Sequence, residues 1–138
     1  MIKEDCLFCK IAKGEIHSAT VYEDSHFTVI LDVNPATKGH CLIIPKEHFD
    51  NIYDLDGETA GKLFALATCI ARAMKDALKC DGLNLVQNNG EVAGQTVNHF
   101  HLHLIPRYEG DGLNLNWPQQ EISGEQLEDC LLYTSPSP

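Results

Sequence analysis

The run His99-Phe100-His101-Leu102-His103-Leu104-Ile105 decides the reading of this chain, because it sets three histidines at a strict spacing of two with apolar residues in every gap. In a β-strand successive side chains point to opposite faces, so the three imidazoles project one way while Phe100, Leu102 and Leu104 enter a core. Neighbouring imidazoles then stand about 6.6 Å apart, twice the rise per residue. The middle ring is flanked on both sides by groups that can donate a proton, bind an anion or ligate a metal, which suits phosphoryl chemistry. One histidine on the wet face of an amphipathic strand needs no explanation; three in register, out of seven in the chain, form a pattern.

Around this run the chain reads as one domain, since 138 residues bury a core without help from disulfides. A hydrophobic content of 43% and a charged content of 22% are ordinary soluble-globular usage. No apolar run approaches the eighteen or so residues of a membrane span, and Met1-Ile2-Lys3-Glu4-Asp5 lacks the basic-then-apolar order of a signal peptide, so a cytoplasmic protein is expected, with no membrane partner. The formal charge of −10 argues against nucleic acid as a partner, because polyanion binding rests on clustered Lys and Arg. A small phosphorylated ligand stays open, held by amides, imidazoles and hydroxyls.

Six cysteines fall at 6, 9, 41, 69, 80 and 130, and only Cys6 and Cys9 form a tight pair. Cys-x-x-Cys in such a chain is a metal knuckle or a redox pair. A redox pair of the thioredoxin type follows a strand and opens a helix, which the first residues do not offer. Two thiolates leave a tetrahedral metal short of two ligands, for which His48 and His99 are the candidates. Cys41, Cys69 and Cys80 read as buried small hydrophobes, and His17 and His26 as surface residues.

The remaining pattern gives a coarse α+β layout. Residues 5–13 read as a short helix ended by Gly14; residues 20–32 and 39–46 read as strands joined across the turn signal Asn34-Pro35-Ala36-Thr37-Lys38-Gly39. From 58 to 79 the set Leu63, Leu66, Ala67, Ile70, Met74, Ala77 and Leu78 recurs at helical spacing, with Asp56 as cap and Lys75 and Lys79 at the C-terminal dipole. Asp81-Gly82 turns into a strand near 83–88, and 90–94 is a flexible loop.

The histidine run, Gly39-His40 ahead of the apolar strand Cys41–Pro45, and Asn88-Asn89-Gly90 through Gly94-Gln95-Thr96 together resemble the histidine-triad nucleotide-binding (HIT) family, from about residue 6 to 117. The resemblance implies an antiparallel sheet of about five strands with one long helix and a short N-terminal helix, a single domain over 1–129, and a homodimer in which the long helix and the strand after it pair across a two-fold axis. Zinc-bearing bacterial members carry the Cys-x-x-Cys, a histidine in a Pro-Lys-x-His segment, here Pro45-Lys46-Glu47-His48, and the first triad histidine. That supports one structural zinc on Cys6, Cys9, His48 and His99.

By the same resemblance His101 is the nucleophile, attacking phosphorus to give a covalent nucleotidyl-histidine. The main-chain carbonyl of His99 accepts from the His101 ring, His40 supports that network, and His103 donates to phosphate. Asn88, Gln95 and Thr96 match further phosphate contacts, with Thr96 standing where the family often has Ser. Asp32 takes the ribose hydroxyls, and Leu7, Phe8, Ile11, Ile30 and Val33 form an apolar slot for a purine, although each is also a competent core residue. The implied function is a hydrolase or transferase acting at the α-phosphate of purine nucleoside monophosphate conjugates, of the nucleoside phosphoramidase type. Two alternatives stand beside it: a dinucleoside polyphosphate hydrolase, kept open by Ile105-Pro106-Arg107-Tyr108, and a non-catalytic zinc-stabilised nucleotide-binding module. The uridylyltransferase relatives replace the third histidine, so His103 counts against that reaction.

Residues 130–138 belong to a different text. They break the amphipathic helix that Ser123-Gly124-Glu125-Gln126-Leu127-Glu128-Asp129 begins, which leaves the C-terminal helix truncated, and they resemble the translation of a transposase-type sequencing adaptor. They are therefore set apart from the fold.

Overall fold

The computed structural model describes Lys3, residues 5–134 and Pro136. Its elements run α1 (Leu7–Ala12), β1 (Thr20–Glu23), β2 (Phe27–Leu31), β3 (Cys41–Pro45), α2 (Gly57–Leu78), β4 (Gly82–Val86), β5 (Leu102–Arg107) and α3 (Gly124–Thr134). The strands form one five-stranded sheet in the order β1-β2-β3-β5-β4, with every neighbouring pair antiparallel.

Both faces of this sheet are covered at its centre, and alternation decides which side chain goes where. Phe27 and Val29 of β2, Cys41 and Ile43 of β3, and Phe100, Leu102 and Leu104 pack against Leu63, Ala67, Ile70 and Met74 of α2. Ile30, Leu42 and Ile44 point the other way, against Phe8 of α1. The helix pattern therefore holds: Asp56 caps α2 by accepting from Thr59 N at 2.9 Å, and the buried stripe recurs at helical spacing. Gly39, at φ +90°, allows the chain to pass close under α2, since a Cβ there would lie 2.5 Å from Leu78 Cδ1.

Four expectations are corrected. Residues 20–32 are two strands, because Asp24 Oδ1 accepts from the backbone N of both His26 and Phe27, at 2.7 and 2.8 Å, and turns the chain without Gly or Pro. His99 and His101 precede β5 instead of lying within it, yet the side-chain alternation continues through them. Cys69 is exposed and Cys80 half-buried, so of the three cysteines read as core only Cys41 is buried; position 69 lies off the Leu63, Ala67, Ile70, Met74 stripe.

The helix expected to break at 130 continues as α3 to Thr134 with every residue exposed. A reciprocal cap between Ser123 and Gln126 starts it, and Cys130, Leu131, Leu132 and Tyr133 offer no helix breaker. Residues 135, 137 and 138 of the set-apart tail, like 1, 2 and 4, lie outside the described residues. No helix among the described residues is long and apolar enough to cross a membrane.

Candidate functional site

The face opposite α2 carries the imidazoles. His99 is fully buried, His101 is buried, and His103 is half-buried. Phe8 of α1 meets the His101 ring edge-on, with centroids 5.0 Å apart, and His101 meets His103 at the same separation. The two histidine rings are closer than an ideal strand spacing and meet edge to face, at 70° between planes.

Backbone groups assign the protons. The carbonyl of His99 lies 2.7 Å from His101 Nδ1, and a carbonyl only accepts, so Nδ1 of His101 is protonated and Nε2 carries a free lone pair. Ala36 N–H donates to His40 Nδ1 at 2.9 Å, which puts the His40 proton on Nε2; that nitrogen in turn donates to His103 Nδ1 at 2.9 Å. The His103 proton is consequently on Nε2. His101 and His103 both line the same cleft, one with a lone pair to offer and the other with a proton.

Burial holds these rings neutral. It lowers His40 and His101 below the usual imidazole range, and it lowers His103 to about 4, with repulsion from His101 and His40 adding to the effect. Asp32 opposes the shift in all three and lies 3.6 Å from His40 Nε2. Asp32, His40 and His103 are close enough to suggest a metal site, but the amide bond to His40 Nδ1 keeps Nε2 protonated. His40 and His103 therefore form a hydrogen-bond relay, with the Asp32 carboxylate beside it as a nearby charge.

The cleft encloses about 470 Å³. Phe8, Ile11, Ile30 and Leu42 line its apolar part, Leu7 and Val33 open onto it from exposed positions, and Asp32, Thr96, His101 and His103 supply its polar groups. Leu7 is 46% exposed, so it belongs to the cleft and not the core, whereas Phe8 and Ile30 serve both. Asp32 Oδ1 accepts from Asn34 N at 2.9 Å and keeps further lone pairs for a ligand. Ile16, His17 and Ser18 also border the cleft, and sequence reading had no periodicity by which to find them in the exposed connection after α1. His17 and His26 are exposed as expected.

Asn88 and Gln95 do not line this cleft. Asn88 Nδ2 reaches Gly94 O, at 3.5 Å. Gln95 is buried, with its amide committed to Gly90 N, Asp50 O and Val97 O, so its side chain shapes the loop that presents Thr96.

Behind the histidine row, Cys6, Cys9, His48 and His99 bring two sulfurs and two ring nitrogens within 4.8 Å of one another. Each histidine presents a lone pair: His99 Nε2 donates to Pro45 O at 2.8 Å and His48 Nε2 to Asp50 Oδ1 at 2.6 Å, leaving both Nδ1 atoms to face sulfur. The Sγ to Nδ1 distances are 3.3 Å for Cys6–His99, 3.3 Å for Cys9–His48 and 3.5 Å for Cys9–His99. Tetrahedral bonds of about 2.3 Å to sulfur and about 2.0 Å to nitrogen separate such atoms by roughly 3.5 Å, so the donor set fits a divalent metal of zinc's size and preference. Asp50, which orients His48, escaped sequence reading; the spacing His48-Phe49-Asp50 was its only signal.

Neutral imidazoles in a row face an apolar cleft that carries a carboxylate, over one antiparallel sheet in a small α+β domain. The chain belongs to the HIT domain family, whose profile matches residues 13–110. It is 42% identical over 123 residues to an adenosine 5'-monophosphoramidase of Saccharomyces cerevisiae, covering 88% of this chain and 75% of the relative. A crystal structure of a HIT family member from Bacillus subtilis superposes with a TM-score of 0.89 at 45% identity, covering 95% of each chain. A zinc-bound histidine triad family protein from Mycobacterium smegmatis gives a TM-score of 0.76 at 41% identity, covering 94% of this chain and 95% of that one.

Proposed function

We propose that the protein hydrolyses or transfers at the α-phosphate of purine nucleoside monophosphate conjugates, with an amine as the leaving group, through a covalent nucleotidyl-His101. The observation that carries this reading is the His101 ring: Nδ1–H is bound at 2.7 Å to the His99 carbonyl, so the Nε2 lone pair is left for phosphorus. In the first step Nε2 bonds to phosphorus as the bond to the leaving nitrogen breaks, and that nitrogen takes a proton from solvent and departs as the free amine. His103 Nε2–H and the Thr96 hydroxyl, both on the cleft, hydrogen-bond the phosphate oxygens as charge builds. Water then attacks the same phosphorus and gives a proton to solvent, the bond to His101 breaks with its electron pair returning to Nε2, and the nucleoside monophosphate leaves. Asp32 receives the ribose hydroxyls, and the apolar part of the cleft receives the purine. The phosphoramidase named in yeast supports this substrate class.

The stretch Ile105-Pro106-Arg107-Tyr108 gives no support to dinucleoside polyphosphates as substrates. Arg107 is held by Asp111, Asn84 and the Leu113 carbonyl, Tyr108 Oη donates to Lys38 O, and Pro106 is fully buried. Purified protein assayed with AMP-amine conjugates and with diadenosine polyphosphates tests the reading: faster turnover of the former is expected, the reverse order favours the polyphosphate reaction, and binding of AMP without turnover of either favours a non-catalytic module.

The metal on Cys6, Cys9, His48 and His99 is zinc and its role is structural, a reading supported by the donor set and by the zinc-bound relative. Bound there, it would hold the ring of His99, the residue whose carbonyl accepts from His101 Nδ1. Two copies form the homodimer: β4 is an edge strand, and Phe64 of α2 and Leu85 of β4 are 54% and 42% exposed, which supports joining the two sheets edge to edge. The protein works in the cytoplasm.

A further inference from the structure

Asp50 faces two ways. Its Oδ1 accepts the Nε2–H of His48 at 2.6 Å, while its main-chain carbonyl accepts from Gln95 Nε2, also at 2.6 Å. Gln95 closes on the loop at two further points, accepting from Gly90 N at 2.8 Å and donating to Val97 O at 3.1 Å. The loop held in this clasp carries Thr96 and Val97 into the cleft. A second tie runs parallel to it, since Ile52 N donates to Asn89 Oδ1 at 2.8 Å. Phe100 N also donates to Phe49 O at 2.6 Å, so the segment from 48 to 52 touches the metal ligands, the loop and the histidine run in one short stretch.

We propose that Asp50 is a positioning residue that aims His48 at the metal and passes the state of the metal site to the loop bordering the nucleotide phosphate, an inference that rests on the zinc and nucleotide reading above. A carboxylate on the far nitrogen of a metal-bound histidine fixes its tautomer and orientation and raises its basicity. Here that carboxylate belongs to a residue whose carbonyl is also an anchor of Gln95. An ordered His48 fixes Asp50, an ordered Asp50 fixes Gln95, and Gln95 fixes the backbone on either side of Thr96. Such coupling is reciprocal, so a nucleotide that orders the loop tightens the metal by the same factor as the metal tightens the nucleotide.

The experiment is chelator competition for zinc on the full chain, wild type against Asp50→Ala and Asp50→Asn, each with and without saturating AMP. Asp50→Ala removes the acceptor and is expected to weaken zinc by about 10–100-fold. Asp50→Asn keeps a neutral acceptor and is expected to fall between Ala and wild type, a partial rescue that general loosening does not produce. Should Asp50→Ala not fold, Asp50→Asn alone still decides, by lying below wild type or matching it. Zinc affinities of both variants equal to wild type overturn the role of Asp50.

In the second arm AMP is expected to tighten zinc measurably in wild type and to lose that effect in Gln95→Leu, whose AMP binding is followed by calorimetry. AMP that binds wild type without moving its zinc affinity overturns the transmission. Wild type that binds zinc but no AMP overturns the nucleotide reading and the transmission with it, leaving the His48 arm to its own result; wild type that binds no zinc overturns the whole inference.

Discussion

His99 and His101 are joined by one hydrogen bond, 2.7 Å from the His101 ring to the His99 carbonyl, while the ring of that same His99 faces Cys6 and Cys9 at 3.3 and 3.5 Å. A single residue thus presents its side chain to the two cysteines and its backbone to the ring of His101, the nucleophile proposed above. Exchange of the His99 side chain leaves the carbonyl in the chain but releases the ring that fixes its direction.

His101→Ala is expected to keep the fold and AMP affinity while lowering turnover by several orders of magnitude, as for a nucleophile acting as part of a unit. Circular dichroism and calorimetry check the first two, and steady-state kinetics the third. Turnover within tenfold of wild type ends the covalent mechanism. Recovery of His101→Gly by added imidazole supports it.

Zinc at one equivalent is the expected result of elemental analysis on protein purified without chelator. Bound zinc at a free concentration a thousandfold above its Kd contributes about 4 kcal/mol to folding, so chelation lowers Tm and, through His99, the rate. Protein free of metal with an unchanged Tm after chelation removes the structural role.

Acid is expected to destabilise the protein in a definite window. Burial lowers His103 to about 4 and lowers His40 as well, so the unfolded chain takes up these protons before the folded one. Stability from them is complete above the unfolded value of about 6.5 and is lost as pH falls from there toward 4. Urea midpoints at pH 7.5 and pH 5 measure the loss, and His103→Gln, which touches no metal ligand, is expected to shrink the difference between them. An equal difference in variant and wild type contradicts the assignment.

Asp32→Asn is expected to weaken ribonucleotides selectively. Wild type should bind AMP more tightly than its 2′-deoxy analogue by about 1–3 kcal/mol, the cost of leaving a buried polar group unpaired. Equal affinities in calorimetry mean that Asp32 faces something other than the sugar.

Phe64→Asp, on the exposed side of α2, is expected to convert the dimer to monomer in sedimentation at micromolar concentration. A wild-type monomer under the same conditions contradicts the assembly.

The sheet and helix were legible because alternation around Phe100, Leu102 and Leu104 and the helical recurrence from Leu63 to Met74 each fill one face of a core. The hairpin between β1 and β2 was not, since its turn is made by one carboxylate, Asp24, and not by the residues that usually punctuate a chain. Within the site, the meeting of Cys6, Cys9, His48 and His99 and the polar lining of the cleft were legible where the residue type itself carries the chemistry: thiolate, imidazole, carboxylate. Gln95 and Asp50 were harder, because an amide or a carbonyl declares its role only through the partners that folding brings to it, here residues 45 positions apart. Cys69 failed for a related reason, since burial of a small residue follows its azimuth on α2 and not its polarity.

The amide of Ala36 that donates to His40 has a consequence for how this site tolerates change. A donor that belongs to the main chain is present with nineteen of the twenty residues, so the direction in which protons are handed from 36 to 40 to 103 is inherited from the path of the chain and is indifferent to the side chain at 36. Proline alone removes it. At that position a proline would free His40 to adopt the opposite tautomer, turn its Nε2 from donor to acceptor, and reverse the polarity of the line that ends on His103.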